Sequence, residues 1–223
     1  MNSPPLQPSP WSLMAKAASR HFILKGVGTA AFISLFFAAY FYLLKHPAFP
    51  ITVMPRTWAD ELIVFAPVAL PVYLSLWVYV SLPPLFFTER RELLHYGLAI
   101  ALTCLCGLAV FYLWPTAAPP ADIDWLKHPD MQFLKNIDAA GNACPSLHVA
   151  TAVFSGLWLH RLLRGFSAPP WLLWLNALWC AGIAWSTVAT RQHVAVDVAA
   201  GIVLGALGAW LSLRLHRQRG GRA

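Results

Sequence analysis

The stretch Thr190-Arg191-Gln192-His193-Val194-Ala195-Val196-Asp197 sets three ionisable side chains between two long apolar blocks. Hydrocarbon tolerates such groups poorly, so they need a reason to be there. Upstream runs Trp171–Ala189 and downstream runs Val194–Leu213. A crossing needs about 20 apolar residues, from ~30 Å of hydrocarbon at 1.5 Å per helical residue. The two blocks therefore read as spans joined by a tight turn at one membrane surface. The same length test, applied outward, gives Phe22–Leu44, Leu62–Leu82, Leu93–Trp114 and Leu147–Leu163. The reading is an all-α, polytopic bundle of six transmembrane helices. Pro67 and Pro71 predict a kink in the second span.

Bulk properties agree. Of 223 residues, 58% are hydrophobic and 11% charged, and the mean hydropathy is +0.57. A soluble domain would carry roughly twice that charged fraction. The net charge of +7 and the 11 tryptophans do not indicate nucleic-acid binding, because no basic face or aromatic platform stands outside the apolar blocks. Basic residues gather at span ends and aromatics at interfaces instead. With six spans, one surface holds only Lys45, Arg56, Lys127, Lys135 and Arg191 of the 16 basic residues. The other holds the rest, and Glu89 and Glu92 are its only acids. The positive-inside rule then predicts cytoplasmic termini and an extracytoplasmic 190–197 turn in a plasma or inner membrane.

Residues 1–20, rich in proline and serine at the start, read as a disordered or interfacial segment. Residues 21–215 read as one membrane domain, with a catalytic core at about 96–213, and 216–223 as a basic cytoplasmic tail touching anionic headgroups. The first apolar block is too long for a signal-peptide core and reads as a retained anchor. Cys104, Cys106 and Cys180 lie in apolar runs, and Cys144 is read as unpaired.

His193 and Asp197, four apart, share a helix face, so the carboxylate can fix the imidazole tautomer. The plainer alternative is a pair that merely satisfies itself between helices. Thr190 can cap the sixth helix, and Arg191 offers forked donors suited to phosphate. A second patch, Pro145-Ser146-Leu147-His148, opens the fourth span at the same surface. Pro145 suits a first helical position, which puts Ser146 in the first turn, where free N–H groups favour an anion. His148 follows within reach of a leaving group. Two helix N-termini, two histidines, a serine and an arginine thus converge on one predicted pocket. That inventory suits two-step phosphoryl transfer through a covalent intermediate. Histidines elsewhere lack ligand spacing, so neither metal nor cofactor is expected.

Pro145-Ser146-Leu147-His148 and Arg191-x-His193-x-x-x-Asp197 resemble the second and third signature motifs of the type 2 phosphatidic acid phosphatase superfamily, over roughly Tyr96 to Leu213. Trp114–Pro120 lies where the first motif belongs. The resemblance implies a six-helix bundle with His193 as nucleophile, Asp197 orienting it, His148 as general acid/base, and Ser146 and Arg191 as phosphate ligands. The sequence departs from the pattern at Leu147, where glycine is usual, and at Trp114–Pro120, which lacks the usual lysine and arginine. Both departures resemble the branch containing inositol phosphorylceramide synthases. Lys127 or Lys135 could replace the missing cation, and Asn142 either donates to phosphate or shapes its turn.

The expected activity is hydrolysis of a membrane lipid phosphate or diphosphate through a phosphohistidine. The alternative is transfer of a phospho-headgroup to inositol or another alcohol. A transporter with a His193–Asp197 relay is the non-enzyme reading, and no internal repeat supports it. Neither the lipid nor the oligomeric state follows from the sequence.

Overall fold

A computed structural model of the chain describes residues 8–131 and 141–220. The long helices begin and end where apolar blocks meet proline, charge or glycine. α1 (Pro10–Ser19) starts with Ser9 capping the Ser12 N–H, and α2 (Phe22–Lys45) follows after a left-handed His21. Short α3 (Trp58–Leu62) precedes a 3-10 turn at Pro67–Ala69, α4 (Leu70–Leu74) and α5 (Leu76–Phe86). α6 (Arg90–Leu113), α7 (Leu147–Gly165), α8 (Pro170–Ala189) and α9 (Ala195–Gly220) complete the bundle.

Five segments are long and apolar enough to cross a membrane: Phe22–Lys45, Pro67–Phe86, Arg90–Leu113, Pro170–Ala189 and Ala195–His216. The chain is an all-α, multi-pass integral membrane protein. α7, the fourth expected span, falls outside this set. It carries His148, His160, Arg161 and Arg164 within 19 residues. It also lies in the middle of the bundle against α5, α6, α8 and α9, with Val149, Ala150, Ala152, Phe154 and Trp158 fully enclosed. A helix walled in by protein does not need a lipid-facing surface.

The second span also differs from the expected Leu62–Leu82. Residues 63–66 leave helical geometry, and the span starts at Pro67. Pro67 and Pro71 occupy first-turn positions, where a missing N–H costs nothing. Their effect is to restart the helix in short pieces, not to bend a continuous one.

Polar contacts stitch the bundle from inside. Tyr79 donates to Asn176 Oδ1 at 2.6 Å, Asn176 donates to the Gly156 carbonyl at 3.0 Å, and Tyr96 meets Ser155 at 3.0 Å. Such bonds join helices where apolar packing alone discriminates weakly. α9 approaches α7 through Gly201, where a Cβ would lie 2.5 Å from the Ser146 carbonyl oxygen. No side chain fits there, so the two helices that carry the histidine motifs touch backbone to backbone.

The site end is tied by a small parallel pair, β1 (Thr52–Val53) and β2 (Thr116–Ala117), extended by a bridge from Thr116 to Asn142. Buried Thr116 takes the Cys144 N–H on its hydroxyl at 2.7 Å. The loop after α6 is thereby sewn to the approach to α7. At the opposite end Lys25 donates to the Ala17 and Leu85 carbonyls, both at 2.7 Å, placing a cation at the C-terminal ends of α1 and α5.

Candidate active site

Four segments meet at one end of the bundle: the α2–α4 connection, the 116–121 stretch, the 141–148 approach to α7, and the 189–197 turn. The turn is built by the end of α8. Thr190 donates its hydroxyl back to the Ser186 carbonyl at 2.7 Å, and the N–H groups of Gln192 and His193 both reach the Thr187 carbonyl. Thr190 therefore terminates α8; it does not cap the next helix, as its position before the second histidine suggested. Arg191 then takes a left-handed backbone, φ 59°.

His193 precedes α9, yet its pairing with Asp197 survives. Nδ1 lies 3.5 Å from Asp197 Oδ2, and the same oxygen accepts the Val194 N–H at 3.0 Å. Asp197 is fully buried. Its backbone carbonyl accepts the Ser146 N–H at 3.0 Å, joining the two motifs directly. Nδ1 makes no hydrogen bond at this distance, but a proton on it faces the carboxylate, an arrangement that leaves Nε2 open for chemistry. Beside Asp197, burial first and the carboxylate second push the Cys144 thiol up to about 11, which keeps it from acting as a nucleophile at neutral pH.

His148 is held by the other nitrogen. Nε2 meets the Tyr73 carbonyl at 3.0 Å, and because a carbonyl only accepts, that nitrogen carries the proton. The ring stacks on Tyr73 with centroids 4.0 Å apart and planes 16° from parallel. Nδ1 is the nitrogen left for proton transfer.

The two histidines line one cavity of about 470 Å³, walled by apolar and aromatic side chains of α2, α4, α5 and α6, among them Phe36, Phe37, Phe41 and Trp77. Above it lies a smaller pocket of about 200 Å³, lined by Thr116 to Ala121, Trp125, Asn142, Arg191, Gln192 and His193. Tyr40, Asn142 and His193 belong to both walls. His193 thus lines both a vestibule of mixed polarity and a strongly apolar chamber.

The remaining expected residues fall into two groups. Arg191 lines the vestibule, spending one Nη1 donor on the Asp60 carbonyl and one Nη2 donor on that of Ile63, at 3.3 and 3.0 Å. Asn142 donates to the Tyr40 carbonyl at 3.0 Å, which fixes its turn and leaves one N–H. Trp114–Pro120, which lacks basic residues, nonetheless supplies much of the vestibule wall. Ser146 lines neither cavity: it is the N-cap of α7, fully buried, accepting the Val149 N–H at 3.3 Å. Because Ser146 is the cap and not a first-turn residue, Leu147 begins the helix, two residues after the first position expected at Pro145. Lys127 is exposed and paired with Asp124 at 3.2 Å, away from both cavities. Lys135 lies outside the described residues. Among the described residues no cluster of three or more His, Cys, Asp or Glu is set to hold a metal.

Part of the N–H supply at the two helix N-termini is taken by the protein's own side chains. The first N–H groups around α9 go to Asp197 and to Asp60, whose Oδ1 accepts the Ala195 N–H at 2.6 Å. Asp60 is the residue that sequence reasoning missed. Thr57-x-x-Asp60 has the spacing of a capping box, which predicts α3 but not a reach to a helix 135 residues away. Tyr73 was missed too, since it lay within an apolar block.

A family model described as the PAP2 superfamily matches residues 92–220. No curated protein and no solved structure matches the chain.

Proposed function

Since the chain belongs to the PAP2 superfamily, whose members are phosphatases or phosphotransferases, we propose that it hydrolyses a lipid phosphate or diphosphate through a phosphohistidine on His193. The observation carrying this reading is the shared wall: His193 lines a strongly apolar chamber and a more polar vestibule that also holds Arg191 and Asn142. A lipid phosphate has that same division, with its head and tail meeting at the ester oxygen.

His193 Nε2 attacks phosphorus, the bond to the ester oxygen breaks, and the leaving alcohol takes the Nδ1 proton of a His148 that enters the step as the imidazolium, its Nε2–H staying on the Tyr73 carbonyl. Water then gives its proton back to His148 while its oxygen displaces His193, releasing phosphate. Asp197 steadies the positive charge on the substituted imidazole. Arg191, with donors left after its two backbone bonds, holds the non-bridging oxygens, assisted by the remaining Asn142 N–H. Ser146 acts as the cap that fixes α7 to Asp197 and makes no phosphate contact. The basic excess at the far end of the bundle supports cytoplasmic termini and an extracytoplasmic site.

Transfer to inositol or another alcohol is the second reading. Leu147 supports it: where the family pattern has glycine, this side chain packs on Gly107 of α6 and lines the chamber. The test is a proteoliposome assay with labelled phosphatidate, with and without inositol. Release of inorganic phosphate that vanadate blocks and EDTA spares is the expected result. A labelled inositol product would replace hydrolysis by transfer, and no phosphate product in either arm would overturn the phosphoryl-transfer reading.

A further inference from the structure

Asp60 is 3% exposed and carries a charge into the boundary between α3 and α9. A buried carboxylate is costly unless its oxygens are satisfied. Here both are. Oδ2 accepts the Thr57 N–H at 2.7 Å and the Thr57 hydroxyl at 2.9 Å, and Oδ1 accepts the Ala195 N–H at 2.6 Å. The Thr57 bonds suffice to start a five-residue helix. The bond to Ala195 does something else: it seats an anion against the positive end of α9.

The same segment grips the other side of the turn. The Asp60 and Ile63 carbonyls take the Arg191 guanidinium, and the Ala66 N–H donates to the Ala189 carbonyl at 2.9 Å. Residues 60–66 therefore hold the 189–195 turn at its beginning, middle and end. Arg191 needs such support, because a left-handed backbone costs a non-glycine residue about 1–2 kcal/mol. Burial pushes the Asp60 carboxyl upward, but the Thr57 and Ala195 N–H groups, the Thr57 hydroxyl and the Arg191 charge outweigh it. They hold the group below its ordinary value of 3.8, so it is anionic across the neutral range.

We propose that Asp60 is a positioning residue for the 190–197 motif: its carboxylate holds the start of α9 and fixes the 60–63 backbone whose carbonyls hold Arg191, so that His193 and the phosphate-binding fork keep one separation. It touches no reacting atom. What it positions rests on the function proposed above; that it positions the turn does not.

The test uses the full chain in detergent, with Asp60→Ala, Asp60→Asn, Arg191→Ala and the Asp60→Ala/Arg191→Ala double variant. Amide exchange over 190–197, vanadate binding and hydrolysis of a short-chain phosphatidate are measured. Asp60→Ala is expected to speed exchange in that segment about 10-fold and to weaken vanadate binding about 10-fold. Asp60→Asn keeps an acceptor for Ala195 but loses the charge, so it should fall between wild type and alanine, and it guards against a variant that fails to fold. On top of Arg191→Ala, the alanine change should add less than about 2-fold, because the two changes release different bonds of one turn, the Ala195 N–H in the first case and the Asp60 and Ile63 carbonyls in the second. Unchanged exchange at 190–197, faster exchange throughout the bundle, or full multiplication in the double variant would overturn the proposal. A wild-type chain that neither binds vanadate nor hydrolyses would remove the proposed function, while the exchange measurement would still decide Asp60.

Discussion

His148 and His193 are the same side chain at the mouths of two adjoining helices, and their surroundings divide them. His193 is backed at Nδ1 by a fully buried carboxylate and offers Nε2. His148 is held at Nε2 by a backbone carbonyl, pressed face to face on Tyr73, and offers Nδ1. A carboxylate stabilises lasting positive charge on an imidazole; a carbonyl orients the ring with less pull on the proton. The first arrangement suits a nitrogen that bears a covalent phosphoryl group, the second a nitrogen that takes and returns a proton. Neighbours, not residue type, separate nucleophile from shuttle.

The largest effect should come from removing the nucleophile. His193→Ala is expected to lower phosphate release from a short-chain phosphatidate about 10⁶-fold, as loss of a covalent nucleophile does elsewhere. The deficit should be the same for p-nitrophenyl phosphate, because a better leaving group does not replace an attacking atom. His148→Ala should cost about 10²–10³-fold with phosphatidate, in the range of a general acid–base. With p-nitrophenyl phosphate, whose leaving group needs no proton, it should instead give a rapid burst of nitrophenolate equal to the enzyme, followed by slow turnover. Equal rescue of both variants, or of neither, would break the division of labour drawn from the two environments.

That division was only half legible in the chain. The spacing of His193 and Asp197 announced their pairing, because four residues fix the face of a helix and the pairing persists through the turn that leads into one. Apolar block lengths announced the bundle, because hydrocarbon thickness sets a minimum run. The partners of His148 were silent: Tyr73 is one aromatic residue in an apolar span, and the acceptor is its backbone carbonyl, which every residue owns. Asp60 was silent for a related reason, since its local spacing with Thr57 explains it fully until the fold brings Ala195 beside it. Ser146 shows the opposite failure. It belongs to the motif and sits beside the site, yet it is fully buried as the cap of α7 and lines neither cavity. Sequence spacing reports contacts within one element, whereas contacts between elements depend on packing that no local pattern encodes.

The smallest of these effects probes the one contact that both histidines share. Gly201 of α9 lies against the Ser146 carbonyl, and the Ser146 N–H is bonded to the Asp197 carbonyl, so the spacing of the two motifs is set by backbone. Gly201→Ala places a methyl where backbone cannot yield and should cost about 1–3 kcal/mol of stability, read as a lowered thermal midpoint in detergent. Turnover should fall about 10-fold, corresponding to ~1.4 kcal/mol. Unlike His148→Ala, the loss should be equal for phosphatidate and p-nitrophenyl phosphate, because separating α7 from α9 moves both imidazoles relative to each other without choosing between them. Gly182→Ala is the matched control: its new methyl would meet only the tip of Val72 at an ordinary 3.5 Å, so it should keep both stability and turnover. If Gly201→Ala also left both unchanged, the backbone contact would not be what holds the two histidines to a common phosphorus.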